Sequence, residues 1–149
     1  MIRQATVEDA SRIAEISIFT KRMNYRRIFN DDKVSFGNMQ VYPLAKAYIE
    51  NPEQLNDFWV FEDEFVKGYI HICGSQIVEL YVDSFFENCG IGSKLIDFAI
   101  KEYNCDHLWV LEKNDGAKRF YNRKGFSASG QKKLEDGTEE FIIEMRRDL

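Results

Sequence analysis

The sequence predicts an α/β protein, α+β in its strand pairing, with a mixed, mainly antiparallel central sheet of about seven strands flanked by helices. Three apolar segments over residues 58–82 are joined by short turns, which is typical of an antiparallel meander. A helix-like segment over 90–103 then links the strands at 77–82 and 107–111, and this kind of crossover makes two neighbouring strands parallel. A mixed sheet follows from these two observations.

The N-terminal third is predicted to be helical after one short strand at 2–5. Apolar side chains recur at helical spacing from Ala10 to Ser17. A second helical region covers roughly 23–50, and we expect it to be interrupted near 30–32 and again near Pro43, because proline disfavours a helix before it.

The meander consists of predicted strands at 58–62, 65–73 and 77–82. Side chains in a strand alternate between the two faces of the sheet. We therefore expect Val66 to share a face with Ile70. By the same alternation, Glu79 is expected on the face that carries Tyr81 and also Ile77.

The last third alternates strand and helix. A strand at 107–111 is followed by a short helix that Asn114 or Asp115 caps and that ends at Gly125, a favourable residue after a helix. The final strands are predicted at about 126–132 and 139–145, joined by a turn at Asp136-Gly137.

The composition indicates a single globular domain over residues 1–149, with 44% hydrophobic and 30% charged residues. The net charge of −5 argues against nucleic acid as a partner. The first ten residues do not resemble a signal peptide, and no apolar run is long enough to span a membrane. Three widely spaced cysteines (Cys73, Cys89 and Cys105) form neither a disulfide nor a zinc pattern, so we expect a reduced, cytoplasmic protein without a metal.

The turn E-N-C-G-I-G-S at 87–93 lies between a predicted strand and a predicted helix. A helix N-terminus has unpaired N–H groups and partial positive charge, and glycine lets a phosphate group approach them. The pattern matches neither the Rossmann nor the P-loop glycine motif. Alone, it is equally consistent with a tight turn whose glycines serve packing.

A second motif decides between these readings. Residues 108–126 read L-W-V-L-E-K-N-D-G-A-K-R-F-Y-N-R-K-G-F, and residues 80–95 read L-Y-V-D-S-F-F-E-N-C-G-I-G-S-K-L. Together they resemble the GNAT superfamily of N-acetyltransferases, whose turn is Gln/Arg-x-x-Gly-x-Gly/Ala. The resemblance is specific in residues 77–126 and weak in residues 20–57.

The resemblance implies that acetyl-CoA is the acyl donor and that an amine is the acceptor. The pantetheine arm would pair with the backbone of β-strand residues 80–82, the pyrophosphate would bind amides of 88–93, and Tyr121 would lie near the thioester sulfur. The implied donor-binding residues are Leu80, Tyr81, Val82, Glu87, Asn88, Cys89, Gly90, Ile91, Gly92, Ser93, Asn114, Ala117, Phe120 and Tyr121.

Glu87 departs from the family pattern, which has Gln or Arg at that position. A carboxylate repels a pyrophosphate, so we expect weaker binding than with a basic turn, and the backbone amides to carry the site. A nearby basic residue could supply compensating charge, although a solvated helix face explains any one of them as well: Lys94, Lys118, Arg119 or Arg123.

The chemistry needs a base more than an acid. Deprotonating an alkyl amine with a pKa of ~10.4 costs roughly 4–5 kcal/mol at pH 7, whereas a thiol with a pKa of ~8.5 needs only about 2 kcal/mol as a leaving group. Glu79 is the candidate general base and Tyr121 the candidate general acid. We expect direct transfer, although Cys89 at a helix N-terminus leaves a covalent acetyl-cysteine route open.

Three questions stay open at this level. The chain fits an N-acetyltransferase for a small-molecule, peptide or protein amine best, but a non-catalytic acyl-CoA-binding module remains an alternative, and a basic-helix nucleic-acid adaptor over 20–29 a more remote one. A homodimer is a reasonable expectation. The acceptor pocket is expected in residues 20–57, with aromatic and methionine side chains as its wall: Met23, Tyr25, Phe29, Phe36, Met39 and Tyr42.

Overall fold

A computed structural model describes residues 1–148 and contains one seven-stranded sheet in the order β1-β2-β3-β4-β5-β7-β6. Neighbouring strands are antiparallel except β4 and β5, which are parallel. The predicted mixed, mainly antiparallel α/β fold is therefore confirmed. The strands are β1 Ile2–Gln4, β2 Phe58–Asp63, β3 Phe65–Cys73, β4 Gln76–Val82, β5 His107–Leu111, β6 Phe126–Leu134 and β7 Phe141–Arg147; the helices are α1 Ala10–Phe29, α2 Val41–Glu50, α3 Ile91–Tyr103 and α4 Asp115–Arg123.

The sheet has a hydrophobic core on each face. On one face, α3 buries Leu95 and Ile96 against strand residues such as Ile70 and Leu108. On the other face, α1 and α2 cover a second cluster that includes Ile13. The two cores fix the helices on opposite sides of the sheet, and the loops at the ends of the central strands remain accessible.

Gly68 allows α3 to lie close to β3 and β4. A Cβ atom at this position would be 3.0 Å from the carbonyl oxygen of Tyr81 and 3.2 Å from Cγ2 of Ile91, the first residue of α3. Both contacts are tighter than side chains normally accept. This glycine therefore serves packing rather than a turn.

The helical third differs from the prediction in two ways. Helix α1 is continuous from Ala10 to Phe29, so the expected start of a separate helical region near residue 23 was wrong. The interruption near 30–32 is confirmed, because Asn30 adopts a left-handed conformation with φ 50° and ends the helix. The interruption near Pro43 is wrong: Pro43 is the third residue of α2, where its missing N–H has no helical partner to lose.

A β-bulge changes the face that Val66 occupies. Phe61 pairs with Gly68, but Glu62 pairs with Val66, so Lys67 is an extra residue in β3. Val66 consequently packs in the α1-side core, while Ile70 packs in the α3-side core. The expectation that the two share a face was wrong for this reason.

Candidate active site

A cleft opens where β4 and β5 diverge. The two parallel strands pair only through Gln76 with His107 and Ile77 with Leu108. Beyond these pairs, β4 and β5 form opposite walls of a cleft with a volume of about 1340 Å3. An unpaired strand edge of this kind offers backbone N–H and C=O groups to an extended ligand.

A second β-bulge, at Val78, orients the side chains of β4. His71 pairs with Glu79, whereas Ile72 pairs with Ile77, so Val78 is an extra residue. Glu79 therefore lies on the α1 side of the sheet with Tyr81, while Ile77 packs in the α3-side core. The prediction that Glu79 shares a face with Tyr81 is confirmed, and the inclusion of Ile77 was wrong.

The N-terminus of α3 forms one end of the cleft. Asn88 and Gly90 both have left-handed backbone conformations, with φ 63° and φ 80°. This turn exposes the first amides of α3, which begins at Ile91, and these N–H groups have no partner within the helix. A Cβ atom on Gly92 would lie 3.7 Å from Val82 Cγ2, so this end of the helix adjoins the end of β4. The arrangement suits a phosphate group.

Among the residues predicted for this turn, all but Cys89 line the cleft. Cys89 is exposed, and its thiol donates to the carbonyl oxygen of Glu87 at 3.6 Å. Glu87 is also exposed and lines the cleft. Glu87, which departs from the family pattern, therefore places a carboxylate at the mouth of the cleft.

Sequence reasoning missed Lys124, a cation that contacts this turn. Its ammonium group, at the end of α4, donates to Ser93 Oγ and lies 3.0 Å from Asp97 Oδ1. Lys94, one of the expected cations, instead lies over the ring of Phe61 at 5.6 Å.

The other expected cations have different environments. Lys118 pairs with Asp115 at 3.4 Å, Arg119 is exposed, and Arg123 lines the cleft. Of the four basic residues considered from the sequence, Arg123 is thus the one that borders the site.

Helix α4 forms the wall opposite β4. Asn114 caps it through a hydrogen bond from the Ala117 amide to Asn114 Oδ1 at 3.2 Å, as one of the two predicted caps. Tyr121 packs edge-on against Phe120 and Phe126, at ring-centroid distances of 5.2 and 6.0 Å. Burial raises the pKa of Tyr121 above its ordinary value, so the phenol is protonated at neutral pH and presents an O–H hydrogen-bond donor.

Glu79 is bonded on both carboxylate oxygens. The Tyr69 hydroxyl donates to Oε1 at 3.2 Å, and the Lys21 ammonium lies 3.1 Å from Oε2. The candidate base is thus held in a fixed position by two elements, β3 and α1. The role of Lys21, 58 residues away in sequence, had no local signal.

Tyrosines surround this carboxylate. The hydroxyl groups of Tyr25 and Tyr81 lie 2.9 Å apart, and burial raises the pKa of both. His71 also lines the cleft, where it stacks on Phe58 at 4.2 Å and burial lowers its pKa. Tyrosine hydroxyl groups and an imidazole therefore lie in the same part of the cleft as the Glu79–Lys21 pair.

The remaining part of the cleft lies beside α1 and α2. Of the six side chains expected in an acceptor pocket, Tyr25, Phe29 and Met39 line the cleft. The other three do not and are exposed: Met23, Phe36 and Tyr42. Within the expected segment, Leu44 and Tyr48 of α2 also line the cleft. Sequence reasoning missed the wall contributed by the β6–β7 loop, which includes Glu135, Asp136 and Thr138.

The basic stretch at 20–29 makes contacts within the fold. Arg22 donates to the carbonyl oxygens of Ser35 and Met39, and Arg26 pairs with Asp32 at 2.8 Å. These arginines hold the segment after α1 against the helix, so their contacts are accounted for by the fold without a nucleic-acid partner.

The cleft combines the N-terminal amides of a helix with an open strand edge, and a comparison with known families identifies the family to which the chain belongs. Residues 26–148 match the model of the acetyltransferase (GNAT) domain. The chain belongs to the GNAT family. The family assignment made from the two sequence motifs is thereby confirmed.

One relative with an assigned activity is peptidyl-lysine N-acetyltransferase YjaB of Escherichia coli. It is 28% identical to this GNAT protein over 69 residues, which are 46% of this chain and 47% of YjaB. In that comparison the chain spans about half the length of the curated relative.

Solved GNAT structures share the fold over nearly the whole chain. Apo YjaB from E. coli has a TM-score of 0.71 at 18% identity, covering 98% of this chain and 95% of that one. Ribosomal-protein-alanine N-acetyltransferase from Brucella melitensis has a TM-score of 0.73 at 20% identity, covering 100% and 99%. PaiA N-acetyltransferase from Thermoplasma acidophilum, in complex with coenzyme A, has a TM-score of 0.60 at 19% identity, covering 98% of each chain.

Two further features concern the described chain. Within residues 1–148, no group of three or more His, Cys, Asp and Glu side chains is arranged to hold a metal ion. Over the same residues, no helix has the length and apolar character needed to cross a bilayer.

Proposed function

We propose that this GNAT protein transfers the acetyl group of acetyl-CoA directly to a primary amine of a small molecule, a peptide or a protein. The observation that supports it most is the single cleft that contains the N-terminal amides of α3, the open edge of β4, Tyr121 and Glu79. Groups suited to phosphate binding, to pantetheine pairing and to acid and base catalysis thus line one cleft.

The donor residues are those inferred from the motifs. Amides of residues 88–93 bind the pyrophosphate, and the backbone at Leu80 and Val82 pairs with the pantetheine arm. Asn114, Ala117, Phe120 and Tyr121 contact the arm from α4. The PaiA enzyme, which shares this fold, was solved with coenzyme A, and that supports the same use of the cleft here.

Glu79 accepts the proton of the acceptor ammonium, directly or through water, and the neutral amine attacks the thioester carbonyl carbon. A backbone N–H of β4 stabilises the oxyanion. The Tyr121 phenol donates a proton to the departing thiolate. Direct transfer is favoured over a Cys89 intermediate because the Cys89 side chain turns towards Glu87 rather than towards the cleft.

Acceptor identity rests on the part of the cleft beside α1, α2 and the β6–β7 loop. YjaB acts on peptidyl-lysine, and a lysine side chain is the first acceptor to test for this protein. The aromatic wall around Tyr25, Phe29 and Tyr48 suits the methylene stem of such a side chain.

The decisive experiment has two parts. Calorimetric titration with acetyl-CoA, with desulfo-CoA as control, measures donor binding; a screen of lysine peptides, polyamines and amino acids for thiol release measures turnover. We expect Tyr121→Phe to lower kcat by about 10²-fold with unchanged affinity for acetyl-CoA. Binding without turnover on any amine would favour an acyl-CoA-binding module, and absence of binding at millimolar acetyl-CoA would refute the proposal.

A further inference from the structure

A primary amine of the chain itself lies beside the candidate base. Lys21, on α1, lines the cleft, and its Nζ atom is 3.1 Å from Glu79 Oε2 and 5.8 Å from the ring centroid of Tyr81. Its side chain is 26% exposed. Lys21 therefore occupies the position that an acceptor ammonium must reach in order to transfer its proton to Glu79.

The direction of the donor arm follows from the two ends of β4. The phosphate-binding turn adjoins Val82, because Gly92 lies against that side chain. An arm that runs along β4 away from the turn passes Leu80 and reaches Glu79 after three residues, roughly 10 Å of strand. The acyl end of the donor thus arrives at the carboxylate to which Lys21 is bonded.

We propose that Lys21 is a self-acetylation site, modified within the same molecule by acetyl-CoA bound in the cleft; this rests on the proposed function. The Lys21 ammonium gives one proton to Glu79, and Nζ forms a C–N bond to the acetyl carbon as the C–S bond breaks. The second proton lost from Nζ goes to the coenzyme A thiolate. The products are N-acetyl-Lys21, coenzyme A thiol and one proton, which Glu79 releases to water.

The modification changes the electrostatics of the site. An acetylated Lys21 carries no charge, so Glu79 loses its ion pair and keeps only the hydrogen bond from Tyr69. The carboxylate is then available to an incoming cationic acceptor without competition from an internal ammonium. Before self-acetylation, Glu79 is paired with the Lys21 ammonium; after it, Glu79 has no cationic partner from Lys21 and can pair with the ammonium of an acceptor.

Lys113 provides a matched control within the same chain. Its Nζ atom lies 3.1 Å from Glu140 Oε2, the same separation as in the Lys21–Glu79 pair. Lys113 is outside the cleft, however, and its side chain is 62% exposed. Chemical acetylation from solution favours the more exposed Lys113, whereas acetylation by a bound donor favours Lys21.

The test incubates the full-length protein with acetyl-CoA that carries an isotopically labelled acetyl group, and follows label at Lys21 and Lys113 by peptide mass spectrometry. We expect label to appear at Lys21 at least about tenfold faster than at Lys113, because the bound donor gives a high effective concentration. Desulfo-CoA should suppress labelling at Lys21 and leave Lys113 unchanged. Glu79→Gln should slow labelling at Lys21 alone.

Two measurements separate the possible failures. The fraction of Lys21 labelled per unit time should not depend on protein concentration; a rate that rises with it would overturn transfer within one molecule. Lys21→Arg retains the ion pair and should lose the label from that peptide only. If calorimetry detects bound acetyl-CoA but Lys21 is labelled no faster than Lys113, self-acetylation is refuted and the proposed function stands; if no acetyl-CoA binds, both are refuted.

Discussion

Replacing Glu87 by glutamine tests whether the turn before α3 binds phosphate groups. Glu87 is an exposed carboxylate that lines the cleft next to the amides proposed for the pyrophosphate. If a pyrophosphate binds there, the carboxylate repels it, and removing the charge must tighten binding. If the donor binds elsewhere, Glu87→Gln changes little.

The size of the effect follows from Coulomb's law. A unit charge about 7 Å from a pyrophosphate of charge about −2 interacts with it by roughly 1.2 kcal/mol in water. Screening reduces this to about 0.5 kcal/mol at 0.15 M salt, where the Debye length is ~8 Å, and to about 0.9 kcal/mol at 0.01 M. We therefore expect Glu87→Gln to lower the Kd for acetyl-CoA about twofold at the higher salt concentration and about fivefold at the lower. Glu87→Arg reverses the charge and should double each change in free energy.

Calorimetric titration at both salt concentrations measures these values. Glu102→Gln is the matched control, since Glu102 is exposed on α3 but about 17 Å of helix rise from Ile91, well beyond the Debye length at 0.15 M salt. Weaker binding by Glu87→Gln, or equal effects of the Glu87 and Glu102 substitutions, would refute the assignment of the phosphate site to this turn.

Three further predictions concern charge, packing and reactivity. Lys124→Met should raise the Kd for acetyl-CoA about threefold at low salt because it removes the cation beside Ser93, whereas Lys113→Met should not; titration of both variants checks this. Gly68→Ala should lower the free energy of unfolding by about 1–3 kcal/mol, because its Cβ meets a β4 carbonyl oxygen at 3.0 Å; denaturant unfolding measures it, and an unchanged midpoint would contradict the packing argument. Burial raises the pKa of Cys105 to about 11, so at pH 8 its alkylation should be at least about tenfold slower than that of the two exposed cysteines, and equal rates by peptide mass spectrometry would count against burial in solution.

Sequence patterns predicted the central strands β2 to β5 well because each is a run of alternating or continuous apolar residues bounded by turns. They failed where one residue interrupts the alternation. Neither Lys67 nor Val78 has a residue type that marks a β-bulge, and the apolar pattern continues across both, so the predicted faces of Val66 and Ile77 were wrong. Pro43 misled for a related reason: its effect depends on where the helix begins, and the start at Val41 has no strong capping residue before it.

The site was predictable where its residues are close in sequence. The α3 turn and the α4 motif lie within residues 80–126, and local spacing identifies them. Lys21 and Lys124 reach the site by tertiary packing, from the middle of α1 and the end of α4. Glu135, from the β6–β7 loop, has no sequence signal that relates it to the cleft.

The short pairing between β4 and β5 makes the sheet depend on what fills the cleft. Four strands, β1–β4, lie on one side of this junction and three on the other, and the two groups share only two residue pairs, Gln76–His107 and Ile77–Leu108. Packing through α3, more than backbone hydrogen bonds, joins them. A donor bound along the free edge of β4 supplies part of the missing strand, and its binding free energy adds to the stability of the folded chain. If the donor binds as we propose, the free energy of unfolding rises with the concentration of acetyl-CoA, and the protein is least stable in a cell that is poor in acetyl-CoA.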